Sequence, residues 1–166
     1  MPQSRQLAAI MFTDIVGYTA LMQQNEELAL KKLHRFKEEL QLKVGELNGE
    51  IIQYYGDGCL IIFKNAVDAV QCAKNLQEEF SKDPKVPVRI GIHLGEILVE
   101  DGNIFGDSVN ISSRVQSMSV PGGVLISDAI KNQINNKPEF QLTSLGKFEF
   151  KNVNEPMEVF AFSNPG

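Results

Sequence analysis

Apolar residues fall in short runs separated by longer amphipathic stretches. Residues 7–16, LAAIMFTDIV, form a run too short for an ordinary helix and apolar enough for a buried strand, with one charge, Asp14, near its end. Gly17 breaks that strand, and Tyr18–Gln24 reads as the start of a helix. A longer helical pattern covers residues 26–47, where Leu30, Leu33, Phe36, Leu40 and Val44 recur at three- and four-residue spacing until Asn48 and Gly49 stop it. Glu50–Tyr55 and residues 59–63 are strand-like and are joined by Gly56-Asp57-Gly58, a hairpin signal. Asn65 is placed to cap a second amphipathic helix, Ala66–Phe80, with Val67, Val70, Ala73, Leu76 and Phe80 on one face.

Residues 81–87 carry two prolines and read as a surface connection, followed by a strand over 88–99 and a turn at Asp101-Gly102-Asn103. The rest of the pattern predicts a helix over 107–118, closed by Pro121-Gly122-Gly123, and a short strand over 124–126. A short helix over 128–134 is capped by Ser127, and two last strands, 140–150 and Met157–Phe162, meet at a turn over 152–156. The order β-α-α-β-β-α-β-α-β-α-β-β contains a tight hairpin among alternating strands and helices, so the sheet is mixed. Its opening is the ferredoxin-like β-α-β-β-α-β arrangement. The expectation is an α+β fold: a ferredoxin-like, palm-type mixed sheet with helices packed on it and extra C-terminal strands. No linker or repeat divides residues 1–166, which read as one domain with a core over about 7–162.

Composition narrows the function. Hydrophobic residues make up 43% of the chain, too many for a disordered segment. A net charge of −5 argues against a nucleic-acid partner, which needs a basic surface, yet leaves room for a phosphate-bearing small molecule. Cys59 and Cys72 fit neither a disulfide scaffold nor a zinc site. No apolar run approaches the roughly 18 residues of a membrane span, and residues 1–7 do not resemble a signal peptide. The expectation is a cytoplasmic protein with no membrane contact from this chain.

Two lone aspartates stand out. In the ferredoxin-like order the first and third strand segments lie near the sheet centre; Asp14 ends one and Asp57 sits at the hairpin tip by the other, so their carboxylates are expected to converge at one edge of the sheet. A pair of hard oxygen ligands suits Mg²⁺, which prefers one or two carboxylates plus substrate phosphates. Asp14 as a helix cap and Asp57 as an ordinary turn residue are the competing readings. Ile15-Val16-Gly17-Tyr18-Thr19 is a strand-to-helix turn whose free N–H groups suit phosphate oxygens, although no P-loop motif occurs. Asn110 and Arg114 are four apart on one predicted helix, an amide and a guanidinium suited to a sugar oxygen and a phosphate. A solvated helix face is the bland alternative. His93, between apolar neighbours on a strand, reads as a structural histidine.

The segments FTDIVGYT, YYGDGCLIIF, VRIGIHLGE and FGDSVNISSR, in that order and at these intervals, resemble the class III nucleotide cyclases, the adenylate and guanylate cyclase catalytic domains. The resemblance covers nearly the whole chain. It implies that Asp14 and Asp57 bind two ions, Mg²⁺ or Mn²⁺, with the Ile15 carbonyl as a backbone ligand. It implies that Asn110 orients the ribose and that Arg114 stabilises the transition state. Lys151, in FEFKNVNEP, would hold the terminal phosphates, with Asn152 replacing the glycine usual after it. Base choice in such proteins rests on two positions that are Gln53 and Asn103 here, matching neither the pattern usual for ATP nor that for GTP.

An amide offers both donor and acceptor, so ATP is expected as the main substrate and GTP as a second one. The resemblance also implies a homodimer with active sites at its interface, one chain giving the aspartates and the other Asn110 and Arg114. The reaction implied is attack of the ribose 3′-oxygen on the α-phosphorus, with loss of pyrophosphate. A dimerising nucleotide-binding regulatory domain with little turnover is the alternative. A diguanylate cyclase shares the palm, but no GG[DE]EF occurs. The chain starts six residues before its first expected strand and ends just after the last, which fits an excised module.

Overall fold

A computed structural model describes residues 4–162. Strand β1 (Ser4–Ile15) starts earlier than its apolar run, because the backbone of its polar end pairs with β4 (Val88–Glu100), Ser4 opposite Val99. Side-chain periodicity cannot register a ladder that buries nothing. Helices α1 (Tyr18–Gln24) and α2 (Glu26–Glu46) follow, the second capped by Asn25, whose side chain accepts from the Leu28 N–H at 3.1 Å. Strands β2 (Glu50–Tyr55) and β3 (Gly58–Phe63) form the expected hairpin, and Asn65 caps α3 (Ala66–Phe80) at 2.9 Å.

The turn after β4 leads into a strand that the pattern missed, β5 (Asn103–Phe105). Asp101 and Gly102 both have positive φ, the combination that a two-residue hairpin loop of type I′ needs. Three residues are too few to show a period of two. Then come α4 (Asp107–Ser117), β6 (Val124–Ser127), α5 (Asp128–Gln133), β7 (Leu142–Phe148) and β8 (Met157–Phe162). Strand β7 is shorter than the predicted 140–150, since Phe140 and Phe150 are buried in two separate apolar clusters instead of lying in the ladder.

The strands lie in the order β2-β3-β1-β4-β6-β8-β7, with β5 paired to β4. The first four are the ferredoxin-like core; β4 and β6 are parallel, and the other pairs antiparallel, so the sheet is mixed as expected. Odd-numbered β1 residues, Ala9, Met11 and Ile15, join Ile61, Ile90 and Ile92 against Phe36 and Leu40 of α2 and Leu76 and Phe80 of α3. Even-numbered ones, Ala8 and Ile10, face the other way with Leu60, Ile97 and Ile104. Helix α4 packs on β1 and β4 of this second face. At the β2–β3 end, Phe12 and Tyr55 stack with ring centroids 6.1 Å apart, and Tyr55 stays 44% exposed. Among the described residues no helix is long and apolar enough to cross a membrane.

Candidate active site

Asp14 lies next to last in β1, opposite Gly58 on one side and Arg89 on the other. The hairpin tip is tied to the same place, because the Ile15 N–H donates to the Asp57 carbonyl at 2.9 Å. Both carboxylates therefore converge at one edge of the sheet, as expected. Arg89 meets Asp14 with two parallel bonds, Nε to Oδ1 at 3.0 Å and Nη2 to Oδ2 at 2.6 Å. A third nitrogen, Nη1, donates to the Ser117 carbonyl at 3.4 Å, at the C-terminal end of α4. Burial raises the Asp57 pKa above the ordinary carboxylate value; Asp14's charge adds to the rise and Arg89's works against it.

The donor set fits a divalent ion that shares its coordination with a nucleotide. No group of three or more His, Cys, Asp or Glu is gathered anywhere among the described residues, so no all-protein cage exists. Two carboxylates are what Mg²⁺ or Mn²⁺ uses when substrate phosphates supply the rest. Ile15 buries its side chain in the core, leaving only its backbone to serve such an ion. Gly17 opens α1 with φ +74, a conformation that costs glycine little. Helix geometry leaves the N–H groups at the start of α1, at Tyr18 and Thr19, without intrahelical acceptors.

Helix α4 sits directly on the strand backbone. A methyl at Gly91 would collide with the Gln116 backbone, and one at Gly95 with the Ser108 side chain. Buried Ser112 adds a bond from Oγ to the Ile10 carbonyl at 2.6 Å. Ile111, Ser112, Val115 and Gln116 face inward, which turns Asn110 and Arg114 outward on the exposed side. Among the described residues no hydrogen bond or ion pair joins Asn110 or Arg114 to either aspartate.

The remaining expected residues are dispersed. Gln53 is exposed on β2, opposite Leu60, and its amide makes no hydrogen bond among the described residues. Asn103 opens β5, and its Oδ1 accepts from the Ile104 N–H at 3.0 Å. Lys151 is exposed in the turn between β7 and β8. Asn152, where glycine was expected, has φ +67, and asparagine is among the few side chains that accept this left-handed backbone. The departure thus preserves the turn that presents Lys151.

His93 is buried, with Nδ1 2.7 Å from Ser127 Oγ, and burial pulls its pKa down to about 4. It is a neutral structural side chain, as expected. Sequence reasoning missed Arg89. The available signal was a lone cation in the apolar strand VRIGIH, matching the lone anion Asp14 in another.

The sequence profile of the adenylate and guanylate cyclase catalytic domain matches residues 1–164. A Rhizobium meliloti protein provisionally named adenylate cyclase 3 is 37% identical over 167 aligned residues, covering 96% of this chain and 28% of that protein. An adenylate cyclase of Glutamicibacter nicotianae is 30% identical, covering 82% of this chain and 34% of its own length. The chain thus spans about a third or less of these relatives. Among solved structures, an adenylate/guanylate cyclase/hydrolase from Silicibacter pomeroyi superposes with a TM-score of 0.89 at 31% identity, covering 99% of this chain and 100% of that one.

Proposed function

The chain belongs to the family of adenylate and guanylate cyclase catalytic domains, and from that premise we propose that it is a cytoplasmic purine nucleotide cyclase. It takes ATP as main substrate and GTP as a second one, and acts as a homodimer with active sites at its interface. One observation supports this reading: the two pairs of expected site residues are not bonded to each other. Asp14 and Asp57 converge at the sheet edge, whereas Asn110 and Arg114 point outward from α4, with no bond to the aspartates among the described residues. A second copy brings its α4 to these aspartates. The β2–β3 end, with Phe12 and partly exposed Tyr55, offers that copy an apolar surface.

Each residue then has a task. Asp14, Asp57 and the Ile15 carbonyl hold the divalent ions, Mg²⁺ or Mn²⁺, two per site. When bound, these ions supply the acidity of the 3′-hydroxyl and neutralise charge on the leaving phosphates. The N–H groups of Gly17, Tyr18 and Thr19 donate to phosphate oxygens, and Lys151 holds the terminal ones. Asn110 orients the ribose so that its 3′-oxygen stands in line with the α-phosphorus. Arg114 faces the charge that grows on the α-phosphate, where a fixed cation contributes most.

Gln53 and Asn103 meet the base with amides, so neither purine leaves them wholly unpaired. The kcat/KM values for ATP and GTP are therefore expected to differ by less than about tenfold, and a preference near a hundredfold contradicts this base reading. The activity itself is tested by incubating the chain with Mn²⁺ and ATP. Cyclic AMP and pyrophosphate are expected in equal amounts, and Asp57→Ala is expected to reduce both to background. Nucleotide binding with no product overturns the reading in favour of a regulatory domain.

A further inference from the structure

The Arg89–Asp14 pair has the wrong partner for a simple metal ligand. Both oxygens of Asp14 are already engaged by one guanidinium, through bonds of 3.0 and 2.6 Å between residues directly opposite each other in the β1–β4 ladder. The two side chains are 30% and 25% exposed, so the pair is only partly screened by water. Arg89's fork matches a carboxylate plane in a way that a single-point cation cannot. Its remaining nitrogen reaches the Ser117 carbonyl, which fixes the fork from behind. Its charge is also felt at Asp57, so Arg89 stands before both carboxylates. A divalent ion binding to Asp14 must take at least one oxygen from this fork and must tolerate a cation nearby.

We propose that Arg89 is a positioning residue for the divalent ion, holding the Asp14 carboxylate in place and yielding one of its oxygens when the ion binds. The inference rests on the reading of Asp14 as a metal ligand. It gives Arg89 two opposite effects. The arginine stabilises the metal-free chain, and it lowers affinity for a bare ion, because ion binding forfeits part of the fork. A cation that opposes the ion by charge alone does so equally as arginine or as lysine, so the fork is what separates the two.

The test is Mn²⁺ binding to the whole chain without nucleotide, followed by the electron paramagnetic resonance signal of free Mn²⁺. Arg89→Gln is expected to bind Mn²⁺ about five- to tenfold more tightly than the unsubstituted chain. Arg89→Lys, which keeps the charge but loses the fork, is expected to lie between them. Adding Asp14→Asn to Arg89→Gln is expected to remove the gain. Added Mn²⁺ is also expected to raise the melting temperature of Arg89→Gln more than that of the unsubstituted chain. Equal or weaker Mn²⁺ binding by Arg89→Gln overturns the proposal. If Arg89→Gln does not fold, Arg89→Lys decides alone: tighter binding supports the proposal and unchanged binding overturns it. The underlying metal reading fails separately, when Asp14→Asn and Asp57→Asn in the otherwise unsubstituted chain bind Mn²⁺ as well as the parent does.

Discussion

Single charges at the ends of apolar strands have to be answered by something, and the answers decide what each residue does. Asp14 is answered by Arg89, whereas Arg114 stands on an exposed helix face with no carboxylate bonded to it among the described residues. A guanidinium left free in this way suits charge that appears only during reaction. Arg114→Ala is therefore expected to lower kcat by about a hundred- to a thousandfold while leaving KM within a few-fold. Steady-state kinetics with ATP check this, and a change confined to KM contradicts the role. His93 makes a different prediction. Its pKa lies at about 4 in the folded chain and near 6.5 when unfolded, so between those values the unfolded chain binds more protons and acid removes stability. Between pH 6.5 and 4 this group alone is expected to cost up to about 3 kcal/mol, read as a smaller acid sensitivity of His93→Gln than of the parent in urea unfolding. At this scale the sequence was informative where a charge was isolated: Asp14 and Asp57 could be picked out, and the fold brings them together. Arg89 escaped because its partner is 75 residues away, and only the strand register makes them neighbours. Asn152 departs from the usual glycine, and its backbone is left-handed, a position that asparagine tolerates.

Elements matter here through the height at which α4 rides on the sheet. Gly91 and Gly95 let the helix touch bare strand backbone, and Ser112 pins it to β1. A methyl at Gly95 must push Ser108, and with it the first turn of α4. Gly95→Ala is therefore expected to cut turnover at least about tenfold with the fold retained, since a misplacement near 1 Å can cost a hundredfold. Adding Ser108→Gly removes the obstacle and is expected to restore most of the activity, with circular dichroism and melting curves reporting the fold. An unrescued loss shows that Gly95 matters for another reason. Helix boundaries were readable where periods are long and where a polar cap, Asn65, stands in its expected place; Ser127 stands before α5 but makes no side-chain cap bond. Strand β5 and the start of β1 were not, because a short ladder and an exposed one leave no mark on hydrophobic spacing.

At the scale of the whole molecule, one chain has a core of its own, and the proposed function gives it only half of each site. Tyr55, Leu7 and Phe105 stay exposed, and those residues cannot be told from ordinary surface or core positions in a linear pattern. A core can be read from spacing because its contacts repeat along the chain; a partner's contacts leave no such period. Dependence on a second copy makes specific activity rise with protein concentration until the dimer is saturated, which an assay across dilutions checks. The division of the site can be tested more sharply by mixing two inactive chains. Asp57→Ala lacks part of the metal half and keeps Arg114; Arg114→Ala has the reverse defect. If each site draws its aspartates from one chain and its arginine from the other, a mixed dimer contains one intact site. With free exchange, half of the dimers are mixed, and the equimolar mixture recovers about a quarter of the parent's ATP turnover although each variant alone is inactive. A mixture as inactive as its components contradicts a site shared between two chains.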